Sequence, residues 1–209
     1  YFHSDIFSLL NGLPGVVILS GSIIVVMKLL FYTKLERSEL HKFSSLLLGI
    51  VCYLIGETLY FYQQYFLQIN IPYPSVADIP YLLANLFFSY FLFLCLFSLI
   101  NRKGLNPLPI ILVSSLAIFP IYLILSSAYN FGINESSQLE FIVNSLYYTL
   151  DAFMLVPALV ILLSLKKKDP FIFHWIFITV ALILLAISDV GYTYFSIIIE
   201  SLLQEFECF

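Results

Sequence analysis

The sequence predicts an all-α fold: a polytopic membrane bundle of six transmembrane helices. Three observations predict it. The 209 residues are 61% hydrophobic and 11% charged, where soluble domains hold about 45–50% apolar and about 25% charged residues. A water-soluble chain this apolar could not cover its surface. The apolar residues fall into six runs, each long enough at about 20 residues to cross a bilayer as a helix. The basic residues alternate with those runs so that they collect on one side.

The runs follow in order. The first, 13–32, holds no charge before Lys28. The second, 43–66, carries one charge, Glu57. The third, 80–100, is uncharged, and the fourth, 107–128, contains Pro120. The fifth, 139–165, contains Pro157, and the sixth spans 171–199. Each internal proline removes a backbone donor and predicts a kink. No segment reads as a soluble module, so residues 1–209 form a single transmembrane domain.

Segment 33–42 carries Lys34, Arg37 and Lys42, segment 101–106 carries Arg102 and Lys103, and segment 166–170 carries Lys166, Lys167 and Lys168. Those eight lie on one side of a six-span chain, and Lys28, the ninth of nine basic residues, borders the same side. Basic loops stay in the cytoplasm. The expected localisation is therefore the cell membrane, multi-pass, with both termini extracellular.

The composition also excludes functions. No basic patch suits nucleic acid. Cys52, Cys95 and Cys208 form no CxxC pair, so no disulfide framework or zinc site is expected. There is no GxSxG, HExxH or glycine-rich phosphate loop, and an enzyme is not expected. No lysine sits mid-span for retinal, and no cofactor is implied.

The acids within the runs are the informative residues. Glu57, Asp151 and Asp189 fall inside spans, and Asp78 marks the outer mouth of the third. A charge at mid-membrane costs about 2.5–3.5 kcal/mol on insertion scales. Each acid has a tyrosine one helical turn away: Tyr60, Tyr81 and Tyr192 follow Glu57, Asp78 and Asp189, and Tyr147 and Tyr148 precede Asp151. The stripes extend to Tyr53 and Gln64 on the second helix, Asn85 and Ser89 on the third, Asn144 on the fifth and Ser196 on the sixth. The expectation is one outward-facing pocket with Glu57, Tyr60, Asp78, Tyr81, Asn85, Tyr148, Asp151, Asp189 and Tyr192 as ligand-binding residues. Such acids can be protonated by burial, accept tyrosine hydrogen bonds, or hold a cation through oxygen or aromatic contacts. The alternative is that Asp–Tyr hydrogen bonds hold helices together.

A repeat is also expected. "LIGETLYFY" at 54–62 aligns with "AISDVGYTYF" at 186–195, matching Ile55, Glu57, Tyr60 and Tyr62 with Ile187, Asp189, Tyr192 and Tyr194. Both helices run the same way, as in a parallel repeat. The counterpart of Asp78 would fall just past Phe209, so the repeat is expected to be incomplete in this chain.

The stretch "GETLYFYQQYFLQINIPYPSVADIPYLL", with Pro74, Ser75, Ala77 and Asp78, resembles the N-terminal membrane sensor modules of archaeal histidine kinases and related bacterial signalling proteins. "YYTLDAFMLVPALVILL" and "WIFITVALILLAISDVGYTYF" are similar to the later part of such modules. The resemblance implies a sensor acting in signal transduction, with Glu57, Asp78, Asp151 and Asp189 at the positions of the family's recurrent acids. A sensor with cytoplasmic output would need a seventh span, which the repeat also implies.

Three functions follow. The first is a membrane-embedded sensory or ligand-binding module. The second is a small cation or proton-coupled transporter. The third is an accessory subunit of a membrane complex. The expected partners are the lipid bilayer, a small cationic or apolar ligand, and a second copy or larger membrane assembly, with no nucleic acid.

Overall fold

The computed structural model describes residues 17–28, 30–31, 36–67, 74–103, 135–165, 172–185 and 187. Every regular element among them is helical. They are α1 (Val17–Lys28), α2 (Arg37–Phe61), α3 (Asp78–Lys103), α4 (Glu135–Ser164) and α5 (Ile172–Leu185). Three helical stretches, Arg37–Phe66, Asp78–Asn101 and Ile142–Ser164, are long and apolar enough to cross a membrane. The architecture is thus that of a helical membrane protein. The fourth expected span, the end of the sixth, Pro120, and the second half of the repeat lie outside the described residues.

The helices begin earlier than the apolar runs. α2 starts at Arg37, with Leu40 N–H donating to the Glu36 carbonyl at 2.9 Å. Glu39 sits in the first turn, where a negative charge suits the helix dipole. Lys42, read from sequence as a loop residue, is instead buried on α2. Its ammonium donates to Glu39 Oε1 at 2.7 Å, one turn back. That pairing is what lets a lysine enter the interface. α3 likewise runs on through Arg102 and Lys103.

α2 and α3 form an antiparallel hairpin. Buried residues of α2 include Lys42, Ser45, Gly49, Ile50 and Gly56. Lys42, Gly49 and Gly56 are seven apart, the repeat that keeps one seam facing a partner helix. Across the seam Cys95 lies within electrostatic reach of Lys42 and Glu39. The Phe88 ring meets Gly49, and the Tyr81 ring meets Gly56. Each step of seven along α2 is matched by a step of seven back along α3. Both glycines are needed for close approach. A Cβ on Gly49 would lie 2.5 Å from the Phe88 ring, and one on Gly56 2.8 Å from the Tyr81 ring. Small residues at such seams are how membrane helices gain contact without a hydrophobic driving force.

A further seven residues from Gly56 reach Gln63, inside a π-helical turn, Tyr62–Phe66. Leu67 N–H bonds the Tyr62 carbonyl at 3.2 Å, closing that wider turn. The same step of seven makes Gln63 rather than Gln64 the inward residue. Gln63 Oε1 is buried with no hydrogen-bond partner among the described residues, while Gln64 is exposed. The Tyr65 ring packs on Phe61 at a tilt of 41°, with centroids 4.5 Å apart.

α3 and α4 run parallel. Tyr147 meets Asp78 near the start of α3, Phe153 packs on Phe93, and Val160 and Ile161 pack on Leu96. The core lies along this seam, in clusters built on Leu92, Met154 and Ala158, then on Leu96, Val160 and Ile161. Pro157 is fully buried, and α4 continues through it. α5 closes over both clusters. Trp175 touches each of them, Leu182 and Leu185 touch the first, and the Thr179 hydroxyl donates to the Trp175 carbonyl at 2.7 Å. That order runs α5 antiparallel to α4. The start of α2, the end of α3, the end of α4 and the start of α5 therefore share one end of the bundle.

Candidate functional site

The opposite end holds the acids. Asp78 is the first residue of α3, and its local sequence, Ser75-Val76-Ala77-Asp78, folds as a capping box. The Ser75 hydroxyl accepts from Ala77 N–H at 3.2 Å, and Asp78 Oδ2 accepts from Ser75 N–H. Pro80 is tolerated here because first-turn amides have no helical acceptor. The other oxygen, Asp78 Oδ1, accepts the Tyr147 hydroxyl of α4 at 2.9 Å. One carboxylate thus caps α3 and ties it to α4. The S-x-x-D spacing is the sequence signal for such a cap, though Ser75 and Asp78 stood out as a pair only through the family resemblance. The tyrosine partner gave no such signal, because Tyr147 lies 69 residues away.

Glu57 lies across the other seam. Gly56 admits the Tyr81 ring close against α2, which brings the Tyr81 hydroxyl within electrostatic reach of the adjacent Glu57 carboxylate. Tyr53 and Tyr60 stand one turn either side of Glu57, within electrostatic reach of that hydroxyl. The Tyr53 and Tyr81 rings meet edge to face, with centroids 5.1 Å apart and planes at 68°. Glu57 is half-buried, and Tyr60 is 43% exposed. Sequence reasoning placed Tyr53, Glu57 and Tyr60 on one face but did not see that Gly56 sets the distance to Tyr81.

The remaining residues form a layer just inside. Tyr148 and Asp151 on α4 are buried, as are Asn85 and Ser89 on α3, and Asn144 is half-buried. At 1.5 Å per residue, Tyr81 lies about 4.5 Å inward of Asp78, and Asp151 about 6 Å inward of Tyr147. Glu57, Asp78 and Asp151 therefore lie within about one helical turn of one another in depth. Asp189 and Tyr192 lie outside the described residues.

Across the helix seams, two of the acids each face a tyrosine of a neighbouring helix, Tyr147 for Asp78 and Tyr81 for Glu57. No three His, Cys, Asp or Glu side chains among the described residues come together as a metal site. The chemistry on offer is one half-buried carboxylate beside tyrosine rings, one carboxylate engaged in a cap and a cross-helix bond, and one buried carboxyl in the α4 core. No model of a known protein family matches the chain, and no curated protein or solved structure does either.

Proposed function

We propose that this protein is a membrane-embedded sensory or ligand-binding module that recognises its ligand through an outward-facing carboxylate–tyrosine pocket. The observation that carries the proposal is the Tyr147 hydroxyl bonded to Asp78, with Tyr81 packed at Gly56 beside Glu57. These contacts cross the α3–α4 and α2–α3 seams at one end of the bundle. A ligand that competes for either contact would change how neighbouring helices are held, which is what a sensor must do. The resemblance of the Pro74–Asp78 region to sensor modules of histidine kinases supports the same reading.

The topology we propose with it has six spans, both termini outside and the basic segments in the cytoplasm. The parallel course of α3 and α4 supports it, since their link must start and finish at opposite ends of the bundle. The segments rich in Lys and Arg all adjoin the other end from the acids, as the positive-inside rule requires. The parallel repeat stands as part of this proposal, resting on the sequence match alone.

A second reading, a cation or proton-coupled transporter, is favoured by Asp151. This carboxyl is buried a turn inward of the Asp78–Tyr147 bond, the next position on an inward path.

The test is a thermal-stability screen of the purified chain in nanodiscs against inorganic cations, organic ammonium salts and lipophilic compounds. The expected result is stabilisation by at least one class that Glu57→Gln or Asp78→Asn abolishes. Stabilisation that both variants retain, or none from any class, overturns the proposal. Proteoliposome flux of the stabilising ligand, lost in Asp151→Asn, would favour the transporter.

A further inference from the structure

The surroundings of Glu57 select among ligand classes. This inference rests on the pocket reading above and names what enters it. A hard metal ion prefers six or more oxygen ligands, several of them carboxylates. Among the described residues, no group of three His, Cys, Asp or Glu side chains gathers at Glu57. Asp78 is engaged elsewhere, one oxygen accepting Ser75 N–H as the α3 cap and the other the Tyr147 hydroxyl of α4.

What surrounds Glu57 instead is aromatic. Tyr53, Glu57 and Tyr60 follow at four and three residues along α2 and so share one face. Tyr81 reaches that face from α3 because Gly56 has no side chain, its ring atoms lying 2.8–3.1 Å from where a Cβ would stand. The Tyr53 and Tyr81 rings meet edge to face, their planes at 68°, so the two rings present faces in crossed directions. Tyr60, on the same face of α2, is more than one-third exposed. Ring faces are negative and attract cations that shed water easily. Alkylated ammonium groups do so, and compact metal ions do not.

We propose that Tyr53, Glu57, Tyr60 and Tyr81 form an aromatic cage for an alkylated ammonium group. Glu57 supplies the counter-charge, and the tyrosine rings supply the faces. Since the cage lies near the end of the spans, the group can come from a soluble quaternary amine or from a choline lipid headgroup.

The experiment titrates choline into the full chain in phosphatidylglycerol nanodiscs and follows tyrosine fluorescence and calorimetry. Its neutral isostere, 3,3-dimethylbutan-1-ol, is titrated in parallel. A second arm uses phosphatidylcholine nanodiscs and reads magnetisation transfer from the headgroup methyls to ring protons of Tyr53 and Tyr81. Expected is saturable choline binding at least about tenfold tighter than the alcohol, or headgroup contact in the second arm. Glu57→Gln and Tyr53→Leu each weaken it about tenfold or more. Tyr53→Phe and Tyr81→Phe keep the rings and stay within about threefold, which separates cage loss from misfolding. Equal binding of alcohol and choline, or no contact in either arm, overturns the cage. If an inorganic cation or lipophile then still stabilises the chain in a Glu57-dependent way, the pocket stands and only the ammonium assignment falls.

Discussion

Gly49→Ala is the most direct test of how α2 meets α3. The added Cβ would lie 2.5 and 2.6 Å from two carbons of the Phe88 ring. Ordinary contact begins near 3.4 Å, so the ring or the helix must yield by about 0.9 Å. Over-packing of that kind costs about 1–3 kcal/mol. Alanine also regains about 1 kcal/mol of helix propensity over glycine, which would blur the result. Gly21→Ala removes the ambiguity, because a Cβ at Gly21 of α1 meets nothing within 4 Å. The two variants share the propensity gain, so their difference isolates the seam. Equilibrium unfolding in bicelles should place Gly49→Ala about 1–3 kcal/mol below Gly21→Ala. Shortening the ring in the double variant Gly49→Ala/Phe88→Leu should recover part of that loss. Equal stability of the two single variants would refute the register in which Gly49 faces Phe88.

The other expectations concern polar groups. In a double-mutant cycle of Asp78→Asn and Tyr147→Phe, the coupling should be about 0.6–1.7 kcal/mol, the usual range for a hydrogen bond between membrane helices. Gln63→Met removes a buried carbonyl with no partner among the described residues. It should stabilise the protein by about 1–2 kcal/mol in the same assay. Lys42 is the more buried member of its ion pair, its side chain 9% exposed against 30% for Glu39. Glu39→Gln should therefore destabilise by about 1–3 kcal/mol, below the range for fully buried pairs, while Lys42→Met should be neutral or stabilising. A larger loss for Lys42→Met than for Glu39→Gln would contradict the burial order.

Some of the site was legible before any coordinates. Glu57, Asp78 and Asp151 stood out because a carboxylate in an apolar run is costly unless something answers it. Tyrosines one turn away were the natural answer on the same helix. Sequence spacing did not show the partners that come from other helices, Tyr147 for Asp78 and Tyr81 beside Glu57. Helical periodicity says which residues share a face but not which face of another helix meets it. Gln64 shows a second limit. The seam follows Lys42, Gly49 and Gly56, so its next step of seven is Gln63, whereas the polar stripe through Glu57 pointed to Gln64.

The sequence by itself determined the helical membrane class, the places of the three long apolar helices, and which residues carry unusual polarity. These depend on local hydrophobicity and on the expense of leaving backbone groups unbonded in lipid, both readable residue by residue. Only the tertiary structure decided that Gly49 and Gly56 bring two rings against α2, that Lys42 is a core residue, and that Asp78 caps one helix while holding another. Those outcomes rest on distances between segments far apart in the chain, set by how the surfaces of neighbouring helices interlock.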